Sequence, residues 1–224
     1  VSQKHLFQTK SCRVSEFLIA FGMMIQCNPI LYGLVLVGGN SSRMREDKSL
    51  IDYRGKPHGE FCHDLIKPFC EEVFYSLRPE SHSRWKKFPH LMDKISDVGP
   101  VAGILAGMDH RPEGAWLVLA CDFPRIDEAT LRFLVESRNP EMQATAFVSG
   151  DSRKPEPLCC IYEPTIKKKL QEVVLNGNAS PQQALLCSRV HLIEGNAIES
   201  LFNANLPQER ITSSFVIRNG HGSN

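Results

Sequence analysis

The chain has 224 residues, a formal net charge of +1 and 42% hydrophobic residues. That length suits one domain with a full core, and so balanced a charge gives no general attraction to nucleic acid or to an acidic membrane surface. Its eight cysteines lie mostly in apolar stretches and form no C-x-x-C, which argues against a disulfide framework or a zinc site and for reduced thiols in a cytoplasmic protein.

Residues 1–30 read as an N-terminal extension, either a leader or an appended segment. The apolar run Phe17–Ile25 is too short to cross a bilayer. The first residue is Val, and Met23 or Met24 is the expected natural start. Residues 31–216 read as one α/β domain and 217–224 as a mobile tail.

Within that domain, apolar runs alternate with amphipathic stretches, the pattern of a mostly parallel sheet covered by helices on both faces. Leu31–Val37 is predicted as the first strand. A helix follows over His58–Cys70, with Phe61, Leu65, Ile66 and Phe69 inward. Glu72–Leu77 and His90–Lys94 are predicted strands, and Gly99-Pro100 opens a helix running to about Met108. Ala115–Ala120 is apolar throughout, as expected of a central strand buried on both faces. Asp127 is placed to N-cap the next helix. Ala144–Ser149 and Leu158–Tyr162 read as strands, Pro164–Leu175 and Ser180–Cys187 as helices, and Val190–Ile193 as a late edge strand.

Four patterns carry chemistry. First, Gly38 and Gly39 end the first strand, with Arg43 and Lys48 downstream. Backbone N–H groups unscreened by side chains form a concave phosphate site there, and Lys48 adds a point charge. The spacing fits neither a Walker A loop nor G-x-G-x-x-G. A plain glycine turn is the other reading. Second, Asp122 follows the central strand, at the edge where open α/β sheets bind ligands. One carboxylate plus substrate phosphates suits Mg²⁺, and a turn or cap aspartate is the plainer possibility. Cys121 beside it is a poor nucleophile if buried. Third, Asp93 ends a strand and is placed to hold a ribose or base. Gly99 and Gly103 flank a helix start that favours an anion and a close ligand, or that simply initiates the helix. Fourth, Asn203 and Asn205 alternate, so both face one side of an extended segment, or form a surface turn before Pro207.

Taken together, Leu36-Val-Gly-Gly39, Arg43-Met44, Asp47-Lys48, Gly55-Lys-Pro57, Gly99-Pro-Val-Ala-Gly103, Cys121-Asp-Phe-Pro124 and Asn203-Ala-Asn205 resemble the molybdenum cofactor guanylyltransferases, the MobA-like nucleotidyltransferases. The resemblance runs from about residue 31 to 212. It implies a Rossmann-like three-layer α/β/α nucleotidyltransferase fold, and transfer of GMP from GTP to a molybdopterin-type molybdenum cofactor with Mg²⁺. A related enzyme using CTP or a sugar phosphate, or a non-catalytic nucleotide-binding relative, is the alternative. By the same resemblance Leu36, Val37, Gly38 and Gly39 hold the guanine nucleotide and Lys48 its phosphates. Ser76 or Arg78, with Asp93 and Gly99, lines the nucleotide pocket. Asp122 carries the metal, and Lys48, Asp122 and Arg43 form the catalytic set. Gly103, Asn203 and Asn205 face the second substrate, and a cofactor-delivery protein is the expected partner. Two positions depart from the family pattern: Arg45 stands where glycine is usual, and Val37 where alanine is.

Overall fold

The computed structural model describes residues 28–37, 48–52, 54–79, 81, 83–96, 98–149 and 153–194. Seven strands form one sheet: β1 (Leu31–Leu36), β2 (Val73–Leu77), β3 (His90–Met92), β4 (Ala115–Ala120), β5 (Ala144–Ser149), β6 (Lys154–Tyr162) and β7 (Val190–Ile193). Among the described residues five α-helices accompany them: α1 (His58–Ile66), α2 (Pro100–His110), α3 (Glu128–Glu136), α4 (Lys167–Leu175) and α5 (Pro181–Leu186). The strand order is β3-β2-β1-β4-β6-β5-β7. Only β6 runs against its neighbours, pairing antiparallel with β4 and β5, and every other pairing is parallel. The architecture is the expected three-layer α/β/α arrangement.

Period-two alternation builds the two core layers. Along β4, Leu117 and Leu119 pack with Cys62 and Ile66 of α1 and Leu131 and Leu134 of α3. Trp116 and Val118 point the other way, to Ile104 and Met108 of α2, Leu170 of α4 and Leu185 of α5. All six residues of β4 are buried, so it is the central strand its composition predicts. On α1 the buried residues are His58, Gly59, Cys62 and Ile66, while Phe61, Leu65 and, just beyond the helix, Phe69 pack partly against that core. The inward face is thus the expected one, centred on Ile66 with Cys62 added, and Phe61 at its margin carries the Arg54 guanidinium 4.3 Å above its ring.

Local chemistry fixes several boundaries. Asp127 accepts from Thr130 N at 2.8 Å and caps α3. Ser180 accepts from Gln183 N at 3.3 Å and caps α5. Before α4, Pro164–Ile166 forms a single 3₁₀ turn. β6 begins at Lys154, earlier than the sequence suggests, and this extension proves important at the site.

Candidate active site

The parallel strands β1, β2 and β4 end together. Leu36 is in register with Ser76 of β2 and with Ala120 of β4, and Leu77 is in register with Met92 of β3. Residues just beyond these positions line one carboxyl edge, the ligand edge of an open α/β sheet. Lys48, Arg78, Asp93 and Asp122 all lie at that edge.

Lys48 opens a 3₁₀ turn, Lys48–Leu50, anchored by the buried Ser49. Its Nζ lies 3.0 Å from Asp122 Oδ1, with the two side chains 18% and 30% exposed. Seventy-four residues apart in sequence, they form one site. The turn holding Asp122 is secured from below. His58, buried at the start of α1, donates from Nε2 to the Phe123 carbonyl at 3.1 Å. Its backbone N–H donates to the Ile51 carbonyl at 2.9 Å, three residues past Lys48. Arg54 Nη2 adds a 3.4 Å bond to the Pro124 carbonyl. The Lys48 turn and the Asp122 turn are therefore tied through His58 as well as through their own ion pair.

A second cluster occupies the ends of β2 and β3. Ser76 Oγ donates to Asp93 Oδ1 at 2.8 Å, and Arg78 Nε stands 4.0 Å from Asp93 Oδ2. Helix α2 lies against this cluster. Gly99, at φ +59, occupies the left-handed region that glycine adopts freely, and it N-caps α2. Gly103 is a close-approach point, since a Cβ there would stand 2.1 Å from Ser76 Oγ and 3.1 Å from Leu36 Cδ2. Gly103 thus seats the helix on Ser76 and Leu36, and Ser76, Arg78, Asp93 and Gly103 are one assembly. Leu36 is partly buried and Val37 buried at the mouth of the same edge.

Gly38, Gly39, Arg43, Arg45, Asn203 and Asn205 lie outside the described residues. Cys121 is buried in the same core layer as Cys62.

Comparison with known proteins decides the family. The MobA-like NTP transferase domain model matches residues 33–191. The chain belongs to the MobA-like NTP transferase family. It is 35% identical over 184 residues to the molybdenum cofactor biosynthesis bifunctional protein of Synechocystis, covering 80% of this chain and 52% of that one. The chain thus spans about half the length of that relative. It is 31% identical over 189 residues to a probable molybdenum cofactor guanylyltransferase of Trichormus variabilis, covering 80% of this chain and 88% of the relative. The crystal structure of molybdopterin-guanine dinucleotide biosynthesis protein A from Archaeoglobus fulgidus shares the fold, with a TM-score of 0.69, 23% identity, and coverage of 84% of this chain and 99% of that one. This MobA-like chain is a nucleotidyltransferase, and among its described residues no helix is long and apolar enough to cross a membrane.

Two features of the MobA-like site escape sequence reading. His58 is one; its signal is a histidine in the first turn of a helix whose neighbours are apolar. The other is Glu156, in the early part of β6 between Pro155 and Pro157. Pairing of β6 with β4 ends at Leu119–Cys159. Pairing with β5 is irregular: Ala146 faces Cys160 and Val148 faces Pro155, so Glu156, Pro157, Leu158 and Cys159 stand opposite Phe147 alone. This is a bulge at the ligand edge, a device that re-aims side chains beside active sites. Glu156 Oε1 accepts from Leu158 N at 2.9 Å. Burial pushes the Glu156 carboxyl above its ordinary range, and the nearby Asp122 charge pushes the same way.

Among the described residues, no cluster of three or more His, Cys, Asp or Glu side chains suits a metal held by protein alone. Asp122 does fit a divalent ion shared with a nucleotide. It is a single, partly exposed carboxylate on a rigid strand end, and hard cations such as Mg²⁺ take one or two carboxylates plus phosphate oxygens. The Lys48–Asp122 pair is only partly buried, and such pairs contribute little net stability. A triphosphate and its counterion can therefore replace each partner's contact with small loss.

Proposed function

We propose that this protein transfers the GMP portion of GTP to the terminal phosphate of a molybdopterin-type molybdenum cofactor. A phosphate oxygen of the acceptor attacks the α-phosphorus in line, the α–β bridging bond breaks, and pyrophosphate leaves with the bond's electron pair. The acceptor phosphate is already ionised, so no strong general base is needed. The observation that carries this reading is the 3.0 Å meeting of Lys48 and Asp122 at the carboxyl edge of the sheet. There a cation that can neutralise phosphate oxygens and a carboxylate that can hold a divalent ion meet at the edge where open α/β sheets bind ligands.

Each group then has one task. Lys48 neutralises phosphate oxygens. Asp122 holds Mg²⁺, which when bound supplies charge neutralisation at the reacting phosphates. His58 and Arg54 keep the Asp122 turn in place. Arg78 and Asp93 present guanidinium and carboxylate to the nucleoside, with Ser76 orienting Asp93 through its hydroxyl and Val37 as an apolar wall. Gly38, Gly39, Arg43, Asn203 and Asn205 keep the phosphate and acceptor roles that the family resemblance implies. Rate enhancement comes from alignment and charge, without a covalent intermediate. The named relatives at 35% and 31% identity support molybdenum cofactor as the acceptor. A protein that delivers this labile compound, in the cytoplasm, is the expected partner.

The test is pyrophosphate release from GTP, CTP, ATP and UTP, each with Mg²⁺ and molybdenum-loaded molybdopterin. GTP is expected to be the preferred donor, and also to give the largest thermal stabilisation of the protein. Preference for CTP, or transfer to a sugar phosphate in place of the pterin, overturns the guanylyl assignment while leaving the enzyme class. Nucleotide binding without pyrophosphate release under any pairing makes the protein a non-catalytic relative.

A further inference from the structure

Glu156 has no place in the donor site. The residues assigned above to the donor nucleotide lie over β1, β2 and β3, with Lys48, Ser76 and Asp93, and end at Asp122 after β4. Glu156 lies on the other side of β4, on β6, at the same edge. The Pro-Glu-Pro segment is held firmly. Gln182 Nε2 donates to the Pro155 carbonyl at 3.2 Å, and Tyr162 Oη donates to the Pro157 carbonyl at 2.8 Å. The bulge opposite Phe147 turns this rigid segment out of regular pairing at the edge. Glu156 is thus a half-buried carboxylate fixed on a rigid segment beside the site.

We infer that Glu156 binds the acceptor substrate, taking hydrogen bonds from N–H donors of its heterocyclic ring. This rests on the transfer reaction proposed above. The chemistry narrows the ligand. A carboxylate repels a phosphate, so the acceptor's phosphate must lie on the Lys48–Asp122 side. What faces Glu156 is then the donor-bearing part of the same molecule. A pterin carries adjacent ring and exocyclic N–H groups that match the two oxygens of one carboxylate. One Glu156 oxygen already accepts from Leu158 N, and a carboxylate has about four acceptor sites in all, so capacity remains. The donor nucleotide and the acceptor therefore divide the edge at Asp122, one over β1–β3 and one over β6.

The experiment compares the whole wild-type chain with Glu156→Gln and Glu156→Ala. Pyrophosphate release is titrated against molybdenum-loaded molybdopterin at saturating GTP and Mg²⁺, and GTP·Mg²⁺ binding is measured separately by calorimetry. Loss of a hydrogen bond to a charged group predicts an acceptor KM raised about tenfold, with GTP affinity within about twofold of wild type. Glutamine can still accept from Leu158 N and keeps the side-chain shape, so Glu156→Gln decides the matter should the alanine variant not fold. An unchanged acceptor KM rejects the assignment, as does an equal loss of GTP·Mg²⁺ affinity, which would place Glu156 on the donor side. A wild-type chain that releases no pyrophosphate with this acceptor sinks the transfer reaction and the Glu156 role with it. An active wild type with an unaltered variant sinks the Glu156 role alone.

Discussion

Lys48 and Asp122 show how little stability a functional ion pair needs to contribute. Both are partly exposed, so their mutual attraction is screened and exchangeable. Asp122→Ala is therefore expected to melt within a few degrees of wild type while losing turnover by about a hundredfold or more, the scale seen when a main electrostatic contact to a reacting group is removed. Pyrophosphate release with a parallel thermal melt checks this, and full activity in the variant would remove Asp122 from the reaction. The Lys48–Asp122 partnership is readable from sequence because each residue follows an apolar strand run at a fixed offset. His58 and Glu156 are not readable in that way. Their importance comes from what the fold sets beside them: the Phe123 carbonyl for His58, and Asp122 for Glu156.

At the level of elements, the site depends on how closely α2 lies on the sheet. Gly103 leaves no room for a side chain between the helix and Ser76. Gly103→Ala must push α2 outward or displace Ser76, and with it the 2.8 Å bond to Asp93. Overpacking of this kind costs about 1–3 kcal/mol. The variant is expected to melt lower and to bind GTP·Mg²⁺ less tightly, by calorimetry, while an unchanged melt and affinity would show that α2 has slack. Strand positions follow from the sequence because continuous apolar runs of five or six residues have one reading between charged helices. The inward face of α1 follows too, except that Cys62 fills the core beside Ile66 while Phe61 sits at the margin under Arg54. The start of β6 does not follow. Two prolines disguise it, and the bulge around Glu156 breaks the alternation by which a strand is recognised.

Across the whole molecule, the edge opposite the site is tied by Arg138. Its Nε donates to Glu163 Oε1 at 2.7 Å and its Nη2 to Glu163 Oε2 at 2.9 Å, while Nη2 also reaches the Pro29 carbonyl at 2.8 Å. This fork joins the end of α3, the end of β6 and the chain entering β1. Arg138→Ala would strand the buried Glu163, and breaking such a pair costs about 3–5 kcal/mol. A lowered denaturation midpoint with unchanged KM for GTP is expected, and a stability equal to wild type would mean the fork is dispensable. Stability and chemistry are thereby placed at opposite edges of one sheet, which is what lets the ligand edge carry exchangeable charges. The most direct measurement is a crystal structure of the protein with GTP and Mg²⁺. The triphosphate is predicted to lie between Lys48 and Asp122, with the ion on Asp122 and the nucleoside toward Ser76 and Asp93. A triphosphate bound elsewhere, with the Lys48–Asp122 contact still closed, would contradict this account.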